Sequence, residues 1–210
     1  MKNTYKIYQL KEIVSHNSTY TYKNLTTREI GKMIREVIES KLKWEQEGIV
    51  VILDFSRVGP IDYSYADEII AKLIVRLNAM EYGDKFIAVT GLTKTQEENI
   101  HVALERKKLH LLSIKPARES QGRNKEIRGR PVRLVNGWHI LGILSPYLKE
   151  VLHIVMERQI LSARELANLR NMKINSASTK LLNLYKARLV KRCVQNLPDR
   201  GRQYIYKSLI

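Results

Sequence analysis

Two short apolar runs constrain the fold of this chain more than any other feature. Residues 48–56 read GIVVILDFS and residues 85–92 read KFIAVTGL, without the polar alternation of a half-exposed strand. A strand that is apolar on both sides is buried on both faces, as in a sheet covered by helices. Amphipathic segments with helical spacing occupy residues 26–43, 64–80 and 95–108. The pattern therefore predicts an α/β fold with a small sheet packed against helices.

Weaker patterns add strands and a helix cap to this half of the chain. Residues 5–9 and 17–23 alternate weakly, which indicates an opening hairpin or an edge strand. Residues 109–114 are expected to form one further strand. Thr95 and Glu98 match a capping box at the start of the third helix.

The net charge of +16 is concentrated in the C-terminal half. Residues 1–113 carry 17 Lys and Arg against 15 Asp and Glu, whereas residues 114–210 carry 20 against 6. A basic module of this kind indicates a polyanionic partner, most often nucleic acid. An anionic membrane is disfavoured, because no segment combines a basic face with a continuous apolar face. We expect no membrane association.

The residue types that enzymes and metal sites need do not occur in the required patterns. The single cysteine, Cys193, excludes an internal disulfide framework and favours a reducing, cytoplasmic location. The five His do not pair with it or with one another at metal-ligand spacing. Glycine-rich phosphate loops and the nucleophile elbow are also missing. We therefore expect no catalytic residues, no metal and no cofactor.

The segment after the first apolar run resembles a known domain family. Residues 53–56 (LDFS) end the run, and residues 65–68 (YADE) open the next helix. This pattern resembles the STAS-like domains of unknown function and, more distantly, the STAS domains of anti-sigma-factor antagonists. The resemblance implies a domain that senses, dimerises or docks a partner, with Asp62, Tyr63 and Ser64 as a candidate switch or partner loop. Tyr63 stands where the antagonists have a phosphorylated Ser, and helix capping is the alternative role for Asp62 and Ser64.

Residues 114–144 are interpreted as a basic connector followed by a hairpin. Gly and Pro interrupt residues 115–133, which contain seven Lys and Arg against two Glu. This segment is either an arm that tracks DNA phosphates or a solvated loop. The arm residues would be Arg123, Lys125, Arg128 and Arg130. Asn136-Gly137 is typical of a hairpin turn, and that hairpin would complete the first sheet or bridge the two halves.

Residues 145–210 follow the order helix, short helix, turn, longer helix and β-hairpin. Ser145 predicts the first helix start, and Ser162 with Glu165 forms a capping box before the second helix. The inward side of the longer helix is expected to carry Ile174, Ala177, Leu181, Leu184 and Leu189. The order resembles the winged helix-turn-helix fold of bacterial and archaeal repressors. Arg188 replaces a Gly that is frequent in that family, which predicts either a different turn or a costly backbone conformation.

The winged-helix resemblance implies where DNA is contacted, because the longer helix of that family enters the major groove. Side chains that would reach base edges are Asn175, Ser176, Ser178, Thr179 and Asn183. Side chains that would lie nearer phosphates are Lys173, Lys180, Lys186 and Arg188. Arg200 and Arg202 at the hairpin tip would lie beside the minor groove or the backbone. The alternatives are helix capping for Asn175 and Ser176, and a solvated turn for Arg200 and Arg202.

These features predict a DNA-binding transcriptional regulator that is not an enzyme. A STAS-like domain would occupy residues 1–113, the connector residues 114–144 and the winged helix residues 145–210. A homodimer is expected, because most winged-helix repressors read palindromes as dimers. Two other functions remain open from the sequence. One is a partner-switching protein that acts through the STAS-like domain, and the other is a sequence-blind architectural or defence-related nucleic-acid binder.

Overall fold

A computed structural model describes residues 5–15, 28–116, 135–197 and 201–210. Helices and strands alternate in these ranges, so the predicted mixed α/β class is confirmed. The strands are β1 (Tyr5–Gln9), β2 (Val50–Asp54), β3 (Phe86–Thr90), β4 (His110–Pro116), β5 (Val135–Gly142), β6 (Ile160–Ser162), β7 (Lys191–Leu197) and β8 (Gly201–Lys207). The helices are α1 (Leu10–Ser15), α2 (Arg28–Trp44), α3 (Tyr63–Ala66), α4 (Lys72–Asn78), α5 (Lys94–Arg106), α6 (Pro146–Arg158), α7 (Ala163–Leu169) and α8 (Ile174–Lys186), with a π-helical turn at Asp67–Ala71. Among the described residues, no helix has the length and apolar character to cross a bilayer.

The first sheet has five strands in the order β1-β2-β3-β4-β5. Its first four strands are parallel, and β5 pairs antiparallel with β4. Parallel strands in sequential order are joined by right-handed crossovers, which place the connecting helices on one face of the sheet. The opposite face must therefore be covered by another part of the chain.

The C-terminal half covers that second face. Because successive strand residues point to opposite faces, the apolar run of β2 contributes to two cores. Val51 and Leu53 pack in the core formed with α2, α4 and α5. Val50 and Ile52 belong to a second core that includes the buried side chains of α6, α7 and α8. The uninterrupted apolar run thus corresponds to a strand covered on both sides.

Residues 135–142 belong to this sheet, and the hairpin turn predicted at Asn136-Gly137 is wrong. Both residues lie within β5, where Gly137 is paired with Lys115. A two-residue hairpin turn of the favoured type needs positive φ at its central residues, and Gly137 does not have it. The candidate arm residues Arg123, Lys125, Arg128 and Arg130 lie outside the described residues, as do residues 17–23.

The capping box predicted at Thr95 and Glu98 is also wrong, because α5 begins earlier. Thr93 is the N-cap residue, and its hydroxyl accepts a hydrogen bond from the Gln96 backbone N–H. The buried Gln96 side chain accepts, through Oε1, a hydrogen bond from the Thr93 backbone N–H at 2.8 Å. Its amide also donates to two carbonyl groups of the loop after β2. One glutamine therefore fixes both the helix start and that loop.

Helix α2 approaches the π-helical turn closely. A Cβ atom on Gly31 would lie 3.0 Å from the Cβ atom of Glu68. The carboxylate of Glu68 is buried and accepts hydrogen bonds from Arg35 at 3.1 Å and Lys72 at 2.5 Å. Burial alone would raise the pKa of Glu68, but the hydrogen bonds from Lys72 and Arg35 lower it below its ordinary value. A buried ion cluster thus joins the helices on this face.

From Pro146 onwards, the described residues form the helices α6, α7 and α8 and a three-stranded antiparallel sheet in the order β6-β8-β7. The predicted caps are confirmed: Ser145 accepts a hydrogen bond from the Leu148 N–H, and Ser162 forms a capping box with Glu165. Of the predicted inward residues, Ala177, Leu181, Leu184 and Leu189 are buried. The prediction that Ile174 faces inward is wrong, because this residue is 47% exposed at the first position of α8.

Candidate nucleic-acid interface

One side of α8 is polar and exposed along its whole length. Its apolar residues recur at the spacing that faces the core, which leaves the opposite side to solvent. Asn175, Thr179, Asn183 and Lys186 follow one another on that outer side at helical spacing, and all are exposed. The Thr179 hydroxyl donates to the Asn175 carbonyl at 2.9 Å, so towards a ligand it offers only acceptor capacity.

The N-terminus of α8 has no side-chain cap. The N-cap residue is Lys173, whose side chain cannot accept a hydrogen bond. Asn175 and Ser176 lie inside the first turn and are exposed, so the capping alternative for these two residues is wrong. The backbone N–H groups of the first turn therefore have no side-chain acceptor at the N-cap, and they lie beside the exposed Lys173.

The β7–β8 hairpin lies beside this helix. A groove of about 200 Å³ separates the two elements, and both Ser178 of α8 and Arg202 of the hairpin line it. Tyr204 lines the same groove and is 51% exposed. Two predicted contact residues from separate elements are therefore brought together. Arg200, the other predicted hairpin residue, lies outside the described residues.

The charged residues of the sequence that contains α8 and the hairpin are almost all basic. After Glu165 the sequence contains ten Lys and Arg but one acidic residue, Asp199. Among the described residues, Arg170 pairs with Glu150 and Arg188 pairs with Asp84. Within the described residues, the cations of this segment that form no salt bridge are Lys173, Lys180, Lys186, Lys191, Arg192, Arg202 and Lys207. Lys180 is half-buried, with its ammonium over the Tyr147 ring.

The half-buried Lys191 shows how close these cations lie to one another. Burial lowers the pKa of its ammonium, and the charge of Lys207 lowers it further. Lys191 and Lys207 are paired in register across the hairpin. The base of the hairpin therefore concentrates positive charge.

Arg188 does not belong to the DNA-facing set. Its side chain is 4% exposed, and its guanidinium Nη1 donates to the Asp84 carboxylate at 2.6 Å. The prediction that it lies near phosphates is therefore wrong. Its backbone has φ +58°, so of the two predicted alternatives the structure shows the costly backbone conformation.

Aromatic rings connect Arg188 to the hairpin. The Tyr185 hydroxyl donates to Asp84 at 2.9 Å, and the Arg188 guanidinium lies 5.4 Å from the centre of the Tyr185 ring. Burial and the hydrogen bond to Asp84 raise the pKa of Tyr185. The Arg192 guanidinium lies 4.4 Å from the centres of both the Tyr185 and the Tyr204 rings. The sequence analysis did not identify Asp84 as a partner of Arg188. The one available signal was an arginine at a position where the winged-helix family frequently has glycine.

The candidate switch loop is occupied by local structural contacts. The Asp62 carboxylate accepts a hydrogen bond from the Tyr65 N–H at 2.7 Å, so its capping role is confirmed. The Tyr63 ring lies under the guanidinium of Arg106 at 4.6 Å, and Ser64 is half-buried. In the described part of the chain, no cluster of His, Cys, Asp and Glu could hold a metal ion.

Comparison with protein-family models, with curated proteins and with solved structures finds no match to this chain. The STAS-like and winged-helix resemblances therefore stay predictions from the sequence. What the chain does is inferred from its own residues and their geometry.

Proposed function

We propose that the chain binds double-stranded DNA through α8 and the β7–β8 hairpin and acts as a transcriptional regulator. One observation carries the proposal. The exposed polar side of α8 lies beside the hairpin, in a segment with ten Lys and Arg against one acidic residue. Cations without acidic partners gain most from phosphate, because each phosphate contact releases condensed counterions from DNA.

The chemistry of the outer side of α8 suits a reader of base edges. A major groove about 12 Å wide admits one helix, and asparagine can contact adenine with two hydrogen bonds. Asn175 and Asn183 supply amides on the same exposed side, with Ser176 and Ser178 at its flanks. Lys173 at the helix start and Arg202 on the hairpin would contact the phosphates on either side. This division between phosphate contacts and base contacts is the one that sequence readers use.

The order of elements supports the winged-helix assignment of the C-terminal half. Helix, short strand, two further helices and a hairpin follow one another, with the short strand β6 paired to β8. The part of the chain that forms the five-stranded sheet and the helices α1–α5, called the five-stranded half, is proposed to sense a signal, dimerise or dock a partner, as its STAS-like resemblance implies. A homodimer would place two copies of α8 on half-sites one helical turn apart.

Fluorescence anisotropy of the full chain with labelled duplex DNA tests this proposal. The test variant removes three exposed cations of the candidate interface, and the control variant removes three exposed lysines from α2 and α5. The two variants are K173Q/K186Q/R202Q and K32Q/K43Q/K94Q. Both variants lose three positive charges, each from a different surface of the protein.

The proposal predicts that only the test variant loses affinity. Its slope of log K against log salt should be shallower than that of the wild type by about 2.7, from about 0.9 per phosphate contact. The control variant should keep the wild-type slope within experimental error. Equal losses in the two variants would show a diffuse charge effect, and that result or no duplex binding by the wild type would overturn the proposal.

A further inference from the structure

Asp84 joins the two halves of the chain at the end of α8. It lies in the turn before β3, and its carboxylate Oδ1 accepts hydrogen bonds from both Arg188 and Tyr185. The Asp84 backbone N–H donates in turn to the Glu47 carboxylate at 2.5 Å. The residue that accepts hydrogen bonds from the end of α8 is therefore itself held, through its backbone, by the loop before β2.

Asp84 contacts Arg188, the residue at which the chain turns between α8 and the hairpin. Arg188 lies between the last residue of α8 and the first residue of β7, and its φ of +58° turns the chain there. A non-glycine residue keeps this conformation only when its surroundings stabilise it. Backbone hydrogen bonds close this turn, from the Arg188 N–H to the Tyr185 carbonyl at 2.9 Å and from the Leu189 N–H to the Leu184 carbonyl at 3.0 Å. The side chain is held by the Asp84 carboxylate, and its guanidinium lies 5.6 and 5.4 Å from the ring centres of Phe86 and Tyr185.

A second contact extends from the same place into the hairpin. The guanidinium of Arg192 in β7 lies between the ring of Tyr185 in α8 and the ring of Tyr204 in β8. Tyr185 is oriented by its hydrogen bond to Asp84. One carboxylate in the turn before β3 thus contacts Arg188 and Tyr185, two residues through which α8 contacts the hairpin, in addition to the core packing of Val190 and Tyr206.

We propose that Asp84 is a positioning residue for DNA binding. By holding Arg188 and Tyr185 it fixes the turn between α8 and the β7–β8 hairpin, and so sets the relative placement of the two DNA-contacting elements. The inference rests on the proposed function, and it extends that function to a residue that does not touch DNA. The five-stranded half is then a structural component of the DNA-binding surface, and a partner that displaced Asp84 would weaken DNA binding.

The sign of the effect separates positioning from simple electrostatics. Removal of an acidic group close to a basic surface should by itself strengthen binding to DNA. Asp84→Asn is predicted to weaken duplex binding about tenfold, which corresponds to about 1.4 kcal/mol. Glu150→Gln is the matched control, because Glu150 pairs with Arg170 away from the turn. The control removes the same charge and should bind duplex DNA as tightly as the wild type, or more tightly.

A rescue variant distinguishes positioning from loss of stability. Glycine adopts φ +58° without a partner, so D84N/R188G should recover affinity to within about threefold of the wild type. A purely structural role would instead make the affinity of each variant follow its free energy of unfolding, so D84N/R188G, with a stability close to that of D84N, would bind no more tightly than D84N. Tyr185→Phe removes only the hydroxyl donor, and it should weaken binding severalfold without unfolding the protein. All affinities are measured at a temperature where circular dichroism shows each variant to be folded.

Hydrogen exchange without DNA provides the second readout. Amides of β7 should exchange faster in D84N than in the wild type and return towards wild-type rates in D84N/R188G. Unchanged exchange in β7, or D84N binding as tightly as the wild type, would overturn the inference. Failure of the wild type to bind duplex DNA, with the predicted exchange pattern intact, would overturn the proposed function instead and leave the positioning of the hairpin standing.

Discussion

Replacement of Arg188 by alanine is expected to destabilise the protein more than replacement by glycine. The turn at this position has φ +58°, where a Cβ atom costs roughly 1–2 kcal/mol and glycine has no such cost. Glycine loses somewhat more chain entropy on folding, which reduces its advantage to about 1 kcal/mol. Both substitutions remove the same guanidinium, so their difference reports the backbone alone.

The ion pair with Asp84 adds a separate contribution. The Arg188 side chain is 4% exposed, whereas that of Asp84 is 31% exposed, so the pair is only partly shielded from water. Breaking a fully buried pair costs about 3–5 kcal/mol and an exposed pair contributes below about 1, so we expect about 2 kcal/mol for Asp84→Asn. The sum predicts losses of about 1–2 kcal/mol for Arg188→Gly and about 2–3 kcal/mol for Arg188→Ala.

Urea unfolding followed by circular dichroism measures these differences, provided that the slope of free energy against urea stays constant. The double variant D84N/R188G should be destabilised by less than the sum of its single variants, with a coupling of about 1–2 kcal/mol. Alanine at position 188 as stable as glycine would refute the backbone reasoning. A coupling below about 0.5 kcal/mol would refute the role of the ion pair.

Three further predictions concern the helices. Gly31→Ala should destabilise the protein by about 1 kcal/mol, although alanine usually favours a helix. The reason is that ion pairs prevent Glu68 from moving away from the new Cβ atom, and thermal unfolding measures the loss. The lowered pKa of Glu68 means that its contribution to stability is complete above the unfolded pKa of about 4.5 and is lost as the pH falls through the lower folded value. Urea titrations from pH 7 to pH 3 should therefore show a shallower acid loss for Glu68→Gln than for the wild type. Ser162→Ala should cost about 1 kcal/mol in the same assay, because it removes the cap of α7, whereas an unchanged midpoint would contradict the capping role.

The elements that periodicity and caps specify could be predicted from the sequence. The apolar run of β2 and the capping box at Ser162 are local signals, and the structure agrees with both. The outer side of α8 followed from the spacing of its core residues, so the exposure of Asn175 and Asn183 was also predictable. Local patterns sufficed there because each depends on residues a few positions apart.

Contacts between distant residues could not be predicted in the same way. Asp84 and Arg188 are 104 positions apart, and only packing of the C-terminal helices on the sheet brings them together. Asn136-Gly137 was misjudged for the same reason, because pairing with β4 extends the strand through a sequence that is typical of turns. The charged residues of α2 at the buried ion cluster were also missed, since opposite charges from α4 and the π-helical turn permit their burial.

Selection from a random pool of duplex DNA by the full chain at physiological salt would show whether α8 reads base sequence. We expect a recurring motif with two half-sites about 10 base pairs apart, read by the outer side of α8. The variant N175A/S178A should retain salt-dependent binding but lose the motif, because its phosphate-contacting cations are unchanged. Retention of duplexes without any motif, or no retention at all, would contradict the claim that this chain reads DNA sequence through α8.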